Sequence, residues 1–374
     1  MLKNNKKENY SFKRIIKNLL LFILVSILTF SCGGSGKIKT NPAQGKDKGY
    51  IFYPSLPNMP RYQYLKTFST SDDIKKKKSK FFKFVAGADQ EKPKVIKKAY
   101  GVDIYDGVIY VCDFGSGVVS VLDLKDRSFG FIGLSGSGKL QRPINLKVDK
   151  ENKLLYVTDM RRRQVIVYTL KGKPVKFYGK TDQFAPSDVD FHGNKLFVCD
   201  VKEHCVHVLD KESGETLYKI GKAGSSEGEL FHPTNICIHN ERLYVSETTN
   251  FRVSIFDLKG KFITMYGELG KRPGNFSRNK GIAVDKEGRI YVVDAAFQNL
   301  QVFSPEFELL LFFLKGGMAR DNIYMPAAVT IDYDNIEYFK EYISPKFKAE
   351  YLLFVTSHFG INKVNVYAFG SFQK

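Results

Sequence analysis

The sequence predicts an all-β protein, a six-bladed β-propeller of four-stranded antiparallel blades. Residues 281–303 show the repeating unit, in which turn-forming residues separate three short runs of β-branched and aromatic residues. A fourth run follows at 307–314. The end of the second run recurs at spacings of 46, 41, 47, 47 and 63 residues, which separate Asp113, Asp159, Asp200, Glu247, Asp294 and Ser357. A period in the forties with four strands per unit is typical of a β-propeller.

The ring is predicted to close through a strand from the other end of the chain. The unit occurs six times, at about residues 101–133, 144–179, 187–221, 234–267, 280–314 and 327–368. The first five units end in a predicted fourth strand, whereas the sixth has none. A spare strand lies at 61–69. We expect it to pair with residues 364–369, which would leave no long exposed edge and give a propeller domain over residues 58–370.

An acidic residue ends the second strand in the first five units. Five carboxylates in one column resemble a catalytic feature, but their repetition in almost every blade argues against catalysis. An Asp between a strand and a turn typically accepts backbone N–H bonds and fixes that turn. We therefore predict a structural role for this column.

Basic residues concentrate on one predicted face of the ring. The formal net charge is +19. The connections from each fourth strand to the next first strand, and from each second to each third, emerge together on what we call the loop face. Its predicted binding residues are Lys75, Lys76, Lys77, Lys78, Arg142, Arg161, Arg162, Arg163, Arg278 and Lys280. A one-sided basic rim attracts anions, although a solvated lysine face with no partner fits the same pattern.

The repeat resembles the NHL-repeat family of six-bladed propellers. The carrying pattern is Tyr-Val-x-Asp followed by Val-x-Val, as at 110–113 and 119–121, and the resemblance covers about residues 50–370. The chain is most similar to the secreted bacterial lipoprotein type, whose last blade carries a long insertion, here 333–351. Within it, Ile336, Phe339 and Ile343 share one helical stripe, so we expect a short helix under the opposite, hairpin face. These motifs specify the fold well and the chemistry poorly.

The first residues are predicted to be a targeting segment. A basic stretch precedes an apolar run at 19–30, which is short for a membrane span and is followed by small residues. We expect a lipoprotein-type signal peptide at 1–31, lipidation of Cys32 and a flexible tether at 32–57. The protein would then be anchored to a membrane by lipid, on the extracytoplasmic side of a bacterial cell envelope. An uncleaved anchor and plain secretion are the alternatives.

Polar residues that interrupt the first strands are predicted to line the central channel near its mouth. They are Asp103, Asn145, Lys147, Asp188, Asp190, Asn235 and Thr330. Asp188 and Asp190 have the carboxylate chemistry that calcium prefers. A water-filled polar channel explains the same residues, and it is the interpretation we favour.

Three histidines, His204, His232 and His358, are predicted to share the loop face. Imidazoles that converge there could hold zinc, as in some propeller lyases. These histidines lie in different blades without short ligand spacing, so we assign no metal and no catalytic residue. The cysteines Cys112, Cys199, Cys205 and Cys237 fit buried thiols, and Cys199 and Cys205 flank one turn closely enough for a disulfide.

The sequence favours a binding or assembly module that acts through the basic loop face. Expected partners are a protein or an anionic envelope ligand, without nucleic acid, and the protein is expected to be a monomer with no cofactor. A metal-dependent lyase or lactone hydrolase at the channel mouth is the first alternative. An envelope component that binds anionic glycan or lipid is the second.

Overall fold

Six antiparallel sheets make up the fold of this chain in a computed structural model that describes residues 49–75, 92–179, 184–317 and 319–373. Five sheets have four strands and one has five. The sixth blade begins with the first strands of the chain, β1 (Ile51–Tyr53) and β2 (Tyr62–Phe68). Blades 1 to 5 then follow in order along the sequence, and the remaining strands of blade 6 come last.

The strands of the first three blades follow the predicted repeats. Blade 1 contains β3 (Ala99–Tyr105), β4 (Val108–Asp113), β5 (Val118–Asp123) and β6 (Ser128–Ile132). Blade 2 contains β7 (Pro143–Asp149), β8 (Leu154–Asp159), β9 (Gln164–Thr169) and β10 (Pro174–Tyr178). Blade 3 contains β11 (Pro186–His192), β12 (Lys195–Asp200), β13 (Cys205–Asp210) and β14 (Thr216–Ile220).

The other blades repeat this arrangement. Blade 4 contains β15 (Pro233–His239), β16 (Arg242–Glu247), β17 (Arg252–Asp257) and β18 (Phe262–Tyr266). Blade 5 contains β19 (Asn279–Val284), β20 (Ile290–Asp294), β21 (Asn299–Phe303) and β22 (Leu309–Phe313). Blade 6 is completed by β23 (Pro326–Asp332), β24 (Phe347–Ser357) and β25 (Val364–Phe372). Each first strand contacts the first strand of the next blade, and β23 returns to β3, so the six first strands surround the axis. The predicted six-bladed propeller is confirmed.

The ring closes as the missing fourth strand predicts. Strand β2 pairs antiparallel with β25, from Tyr62 opposite Phe369 to Phe68 opposite Val364. It therefore supplies the strand that the sixth repeat lacks. Phe68 is only 1% exposed, which ties this pairing to the hydrophobic core between blades 6 and 1.

An additional strand shortens the predicted tether. Strand β1 pairs with β2 at the outer edge of blade 6. Its Phe52 is buried, with ring centroids 5.9 Å from Phe347 and 5.3 Å from Phe372. The sequence interpretation placed this strand in a flexible segment because three residues are too few to show an alternating pattern. The signal peptide, Cys32 and residues 32–48 lie outside the described residues.

The insertion in blade 6 forms the expected short helix, which is a 3-10 helix over Ile336–Tyr342. Phe339 is fully buried and packs edge-on against Phe68 and Phe354. The Asn335 side chain accepts a hydrogen bond of 2.7 Å from the N–H of Gly107, in the first turn of blade 1. The insertion thus joins the first and last blades at the hairpin face.

The four cysteines of the described propeller are free thiols. Cys112, Cys199 and Cys205 are buried and Cys237 is half-buried. The close pair Cys199 and Cys205 has not formed a disulfide. In the described part of the chain, no helix is both long enough and apolar enough to cross a membrane.

Candidate functional site at the loop face

The column of acids holds the backbone around the mouth of the loop face. The side chains of Asp113, Asp159, Asp200, Glu247 and Asp294 are all fully buried. In blade 1, Asp113 accepts N–H bonds from Lys97 and Lys98 on one side and from Gly115 and Ser116 on the other. Asp159 and Asp294 repeat this pattern in blades 2 and 5. In blades 1, 2 and 5 the acid therefore ties the incoming connection to the turn after the second strand, which agrees with the predicted structural role.

This bonding fixes a ring of residues that we call the collar, defined as the residue before each first strand. The collar residues are Lys98, Arg142, Ala185, His232, Arg278 and Met325. In blades 1, 2 and 5 the collar residue is a cation whose own N–H is bound by the buried acid. Backbone amides already occupy these carboxylates, so the acids hold the cationic residues in place around the mouth.

A small cavity opens at the collar between blades 5, 6 and 1. It has a volume of about 160 Å³. Its polar lining includes Tyr100, Arg278, Lys280 and His358. The Lys280 ammonium lies 5.9 Å from the centre of the Tyr100 ring, and the His358 ring lies 5.0 Å from it, edge-on. An aromatic surface, an amine and an imidazole thus meet in one recess.

The charges around this cavity repel one another. Burial, followed by the charge of Arg278, lowers the pKa of Lys280 to about 8. Burial, followed by the charges of Lys98 and Lys363, lowers the pKa of His358 to about 4, so this imidazole is neutral at pH 7. The pKa of Lys363 is also lowered, first by burial. Burial and the neighbouring positive charge both disfavour the protonated form of Lys280, and an added negative charge in the cavity would favour it.

The other predicted basic residues divide into several groups. Lys75 forms an exposed ion pair with Asp72, and Lys76, Lys77 and Lys78 lie outside the described residues. Arg161 is exposed beside a separate groove. Arg162 donates hydrogen bonds to the carbonyls of Ser137 and Lys139, and Arg163 is a half-buried turn residue with a φ of 56°. The Arg142 guanidinium lies 5.6 Å from the centre of the Phe114 ring. The structure therefore places Arg142, Arg278 and Lys280 at the mouth and gives Arg162 a structural contact.

Two basic residues at the mouth were not among the predicted binding residues. Lys98 is a collar residue, and its ammonium lies 5.3 Å from the centre of the Phe359 ring. Lys363 is only 9% exposed and lies in the connection before β25. The position of Lys98 before a first strand, matching Arg142 and Arg278, was a usable signal. The connection of blade 6 differs in length from the others, so the repeat gave no signal for Lys363.

The three candidate histidines do not form a common ligand set. His204 Nδ1 accepts a hydrogen bond of 2.9 Å from the N–H of His232, and the His204 ring stacks on Phe231. His358 instead packs among aromatic rings beside the cavity described above. Within the described ranges, the one group with suitable donor atoms for a metal is Glu203, Cys205 and His207, in blade 3.

The predicted channel residues lie on the first strands around the axis. A central cavity of about 150 Å³ is lined by Asn145, Lys147, Asp188, Asn235 and Thr330, among others. Asp103 and Asp190 are buried on the neighbouring first strands, and Asp190 lies 3.5 Å from the Lys147 ammonium. The proximity of Asp190 is the main reason why the pKa of Lys147 is raised.

The two aspartates suggested for calcium join neighbouring blades. Asp188 accepts N–H bonds from Val189 and from Ile236 of the next blade, at 2.8 and 3.0 Å. Asp190 does the same with Phe191 and Ile238. Each carboxylate uses both oxygens to connect two first strands. Burial raises the pKa of Asp188 to about 7 and also raises that of Asp103.

Comparison with known proteins gives the same repeat type. A family model described as a 6-bladed beta-propeller matches residues 225–310. The chain is 24% identical over 173 residues to "Protein brain tumor" of Drosophila melanogaster, covering 44% of this chain and 16% of that protein. It is 24% identical over 214 residues to "NHL repeat-containing protein 2" of Gallus gallus, covering 52% of this chain and 25% of that protein. The chain therefore spans a quarter or less of these relatives.

Solved structures agree on the fold. A Bacteroides thetaiotaomicron protein of unknown function superposes with a TM-score of 0.58 and 14% identity, over 82% of this chain and 75% of that one. A gluconolactonase from Xanthomonas campestris superposes with a TM-score of 0.53 and 14% identity, over 73% of this chain and 86% of that one. At such identities the likeness concerns the fold alone. The resemblance to NHL-repeat propellers is confirmed.

Proposed function

We propose that this chain, a six-bladed β-propeller of the NHL-repeat type, is a binding module that takes an anionic group of its partner at the basic mouth of the loop face. The observation that carries the proposal is the cavity between Lys280, Arg278 and His358, whose lysine is partly buried and has a depressed pKa. Desolvated cations that repel one another are stabilised when an anion enters between them.

The shape of the site suits a carboxylate or a similar small anion. Arg278 is exposed and offers planar N–H donors, whereas Lys280 lies deeper and offers a single charge. Tyr100 and Phe359 add apolar lining. An entering anion would raise the pKa of Lys280 toward its ordinary value, so binding would be accompanied by proton uptake near pH 8. We favour an acidic segment of a protein partner, because the NHL relatives carry this region within much longer proteins.

The module would be held at a membrane. A signal peptide over residues 1–31 and a lipid on Cys32 would place it on the extracytoplasmic side of a bacterial envelope, joined by a tether that ends before β1. The support for this part is the sequence pattern of the first 36 residues.

Binding of a fluorescent hexaglutamate peptide, followed by anisotropy at two salt concentrations, tests the proposed face. The double variant Lys280→Met and Arg278→Ser should bind about tenfold more weakly, equivalent to about 1.4 kcal/mol, and with a flatter salt dependence. The matched control, Lys259→Ser with Lys261→Ser, removes two exposed lysines from the hairpin face and should change binding little. Equal losses in the two double variants would show that only net charge matters.

Two further measurements test the class of ligand and the role of Lys280. If polygalacturonate binds well and hexaglutamate does not, the partner is an anionic glycan of the envelope. Wild-type affinity for hexaglutamate should fall between pH 7 and 9, because Lys280 loses its proton in this range. A flat profile would remove Lys280 from the site.

One observation favours an enzyme as the second candidate. Asp188 and Lys147 both line the central cavity, and the Asp188 pKa of about 7 suits a general base. A lactone hydrolase that used it would lose turnover in the variant Asp188→Asn while keeping hexaglutamate binding. If the wild-type protein hydrolyses no lactone, the binding module is the better explanation.

A further inference from the structure

Blade 3 contains a group of side chains with the donor atoms of a metal site, and no second such group occurs among the residues that the structure describes. The donor atoms of Glu203, Cys205 and His207 all lie within 4.8 Å of one another. His207 Nε2 lies 3.1 Å from Asp200 Oδ2 and 3.3 Å from Glu203 Oε2. Asp200, Cys205 and His207 are buried, while Glu203 is partly exposed at the edge of the group.

The local backbone explains how four residues meet. Cys205 and His207 are two apart on β13, so both side chains point to the same face of the sheet. Asp200 ends the paired strand β12 directly opposite Cys205, and Glu203 lies in the turn between the two strands. One hairpin thus brings a sulfur, an imidazole and the Glu203 carboxylate within 4.8 Å of one another, and it places the Asp200 carboxylate 3.1 Å from the imidazole.

The first, second, fourth and fifth blades have other residue types at the positions of Cys205 and His207. The residues that align with Cys205 are Val118, Gln164, Arg252 and Asn299. Those that align with His207 are Ser120, Ile166, Ser254 and Gln301. In blade 4, Arg252 and Ser254 both donate hydrogen bonds to the column acid Glu247. Neither a thiol nor an imidazole is therefore needed for the fold at these two positions.

Hydrogen bonding alone leaves the group of blade 3 poorly satisfied. A single imidazole nitrogen, Nε2 of His207, faces two carboxylate oxygens, although one N–H can align well with only one acceptor. The other ring nitrogen, Nδ1, is buried without a hydrogen-bond partner. Lys219 contacts Glu203 Oε2 at 2.6 Å from the outer strand and balances one of the two negative charges.

We propose that Asp200, Glu203, Cys205 and His207 form a structural zinc site. Tetrahedral zinc with bonds to nitrogen and oxygen of about 2.0–2.1 Å has donor atoms about 3.3 Å apart, close to the two separations around His207 Nε2. Mixed sulfur, nitrogen and oxygen donors suit zinc better than calcium or magnesium, which prefer oxygen alone. On coordination the Cys205 thiol releases its proton to solvent and the ring proton of His207 moves from Nε2 to Nδ1, so Nε2 binds the ion in place of the shared N–H bond.

The zinc site would also help to hold His232, the collar residue of blade 4, in place. His204 lies in the sequence between Glu203 and Cys205, and its ring nitrogen holds the N–H of the collar residue His232. A metal that fixes the turn on both sides of His204 would fix this contact as well. The expected role is structural, because four protein ligands leave no open coordination position for a substrate.

Metal content of the purified propeller tests the proposal. Wild-type protein loaded with zinc and dialysed should retain one ion per chain by elemental analysis. Loading with cobalt should give the near-ultraviolet charge-transfer absorption of a thiolate ligand. The variants Cys205→Ser and His207→Asn should each lower zinc affinity at least tenfold and remove the melting-temperature rise that zinc causes. Cys237→Ser, which removes a thiol from the channel, should behave as the wild type.

Three results would overturn the site. The first is a wild-type protein that retains no zinc after dialysis. The second is cobalt binding without the thiolate absorption, which would exclude Cys205 as a ligand. Zinc retention by the Cys205→Ser variant at wild-type affinity would do the same. The cobalt spectrum is measured on the wild type alone, so the test does not depend on whether either variant folds.

Discussion

Asp188 should make the stability of the propeller depend on pH in a direction opposite to that of an ordinary paired carboxylate. Its folded pKa of about 7 lies above the ordinary value of 3.8, because burial disfavours the charged form. The folded state therefore holds this proton more tightly than the unfolded state. The contribution of Asp188 to the free energy of unfolding falls as pH rises through this interval, and it reaches its lowest value above pH 7.

The two pKa values set the size of the effect. Over the full interval from 3.8 to about 7, at 1.36 kcal/mol per unit, the loss amounts to about 4 kcal/mol. About 2–3 kcal/mol of this falls between pH 5 and pH 8. His358 acts in the opposite sense, because its pKa is lowered to about 4 and its contribution increases as pH rises to about 6.5. The wild-type profile alone would therefore hide much of the Asp188 effect.

Comparison with the variant Asp188→Asn isolates the contribution of Asp188 to the pH dependence of stability. In the variant, the side-chain N–H₂ faces one of the two backbone N–H donors, as the O–H of a protonated carboxyl does. The free-energy cost of this unfavourable contact does not change with pH. Urea unfolding is followed by far-ultraviolet circular dichroism, since the chain has no Trp. It should show the variant gaining about 2–3 kcal/mol of unfolding free energy on the wild type from pH 5 to pH 8. The exposed replacement Asp126→Asn should leave the profile unchanged. A constant difference between Asp188→Asn and wild type at all pH values would mean that Asp188 is ionised in the folded protein throughout.

Three other predictions concern closure, anchoring and the loop face. Phe68→Ala should destabilise the propeller by about 3–5 kcal/mol in urea unfolding, because this ring is buried where the ring closes; a loss below about 1 kcal/mol would contradict the closure. Cys32→Ala should block lipid labelling and release the protein from membranes on mild washing, whereas retention would indicate an uncleaved anchor. Arg161→Ser should change stability by less than about 0.5 kcal/mol, but Arg162→Ser should cost about 1–2 kcal/mol by losing its carbonyl contacts. Equal effects of the two changes on the melting temperature would refute this division.

The repeat made the fold predictable from sequence in unusual detail. Because Asp113, Asp159, Asp200, Glu247 and Asp294 occupy one column, a single alignment located the second strands and the turns after them. The missing fourth strand then required a partner for β25. Strand β1 was not found, because three residues carry no period, and its only support is burial against blade 6.

The candidate site was predicted only in part, since it depends on distances between blades. Sequence placed Arg278, Lys280 and His358 on one face but could not show that they border one cavity. Likewise, the sequence pointed to Cys205 only as a buried thiol or a disulfide partner, and His207 was not among the candidate histidines. Their convergence with Glu203 depends on side-chain directions within a single hairpin, which residue spacing alone does not show.

The pairing of β2 with β25 has a consequence for how the protein folds. Residues that are neighbours in this sheet, such as Tyr62 and Phe369, are about 300 positions apart in the chain. Loops of such length close slowly, and the last blade cannot be completed until both ends are available. Blades 1 to 5 contain only local strand pairs and can form earlier as an open array. A chain that is exported in extended form would then reach its closed ring only after its C-terminal strand has crossed the membrane.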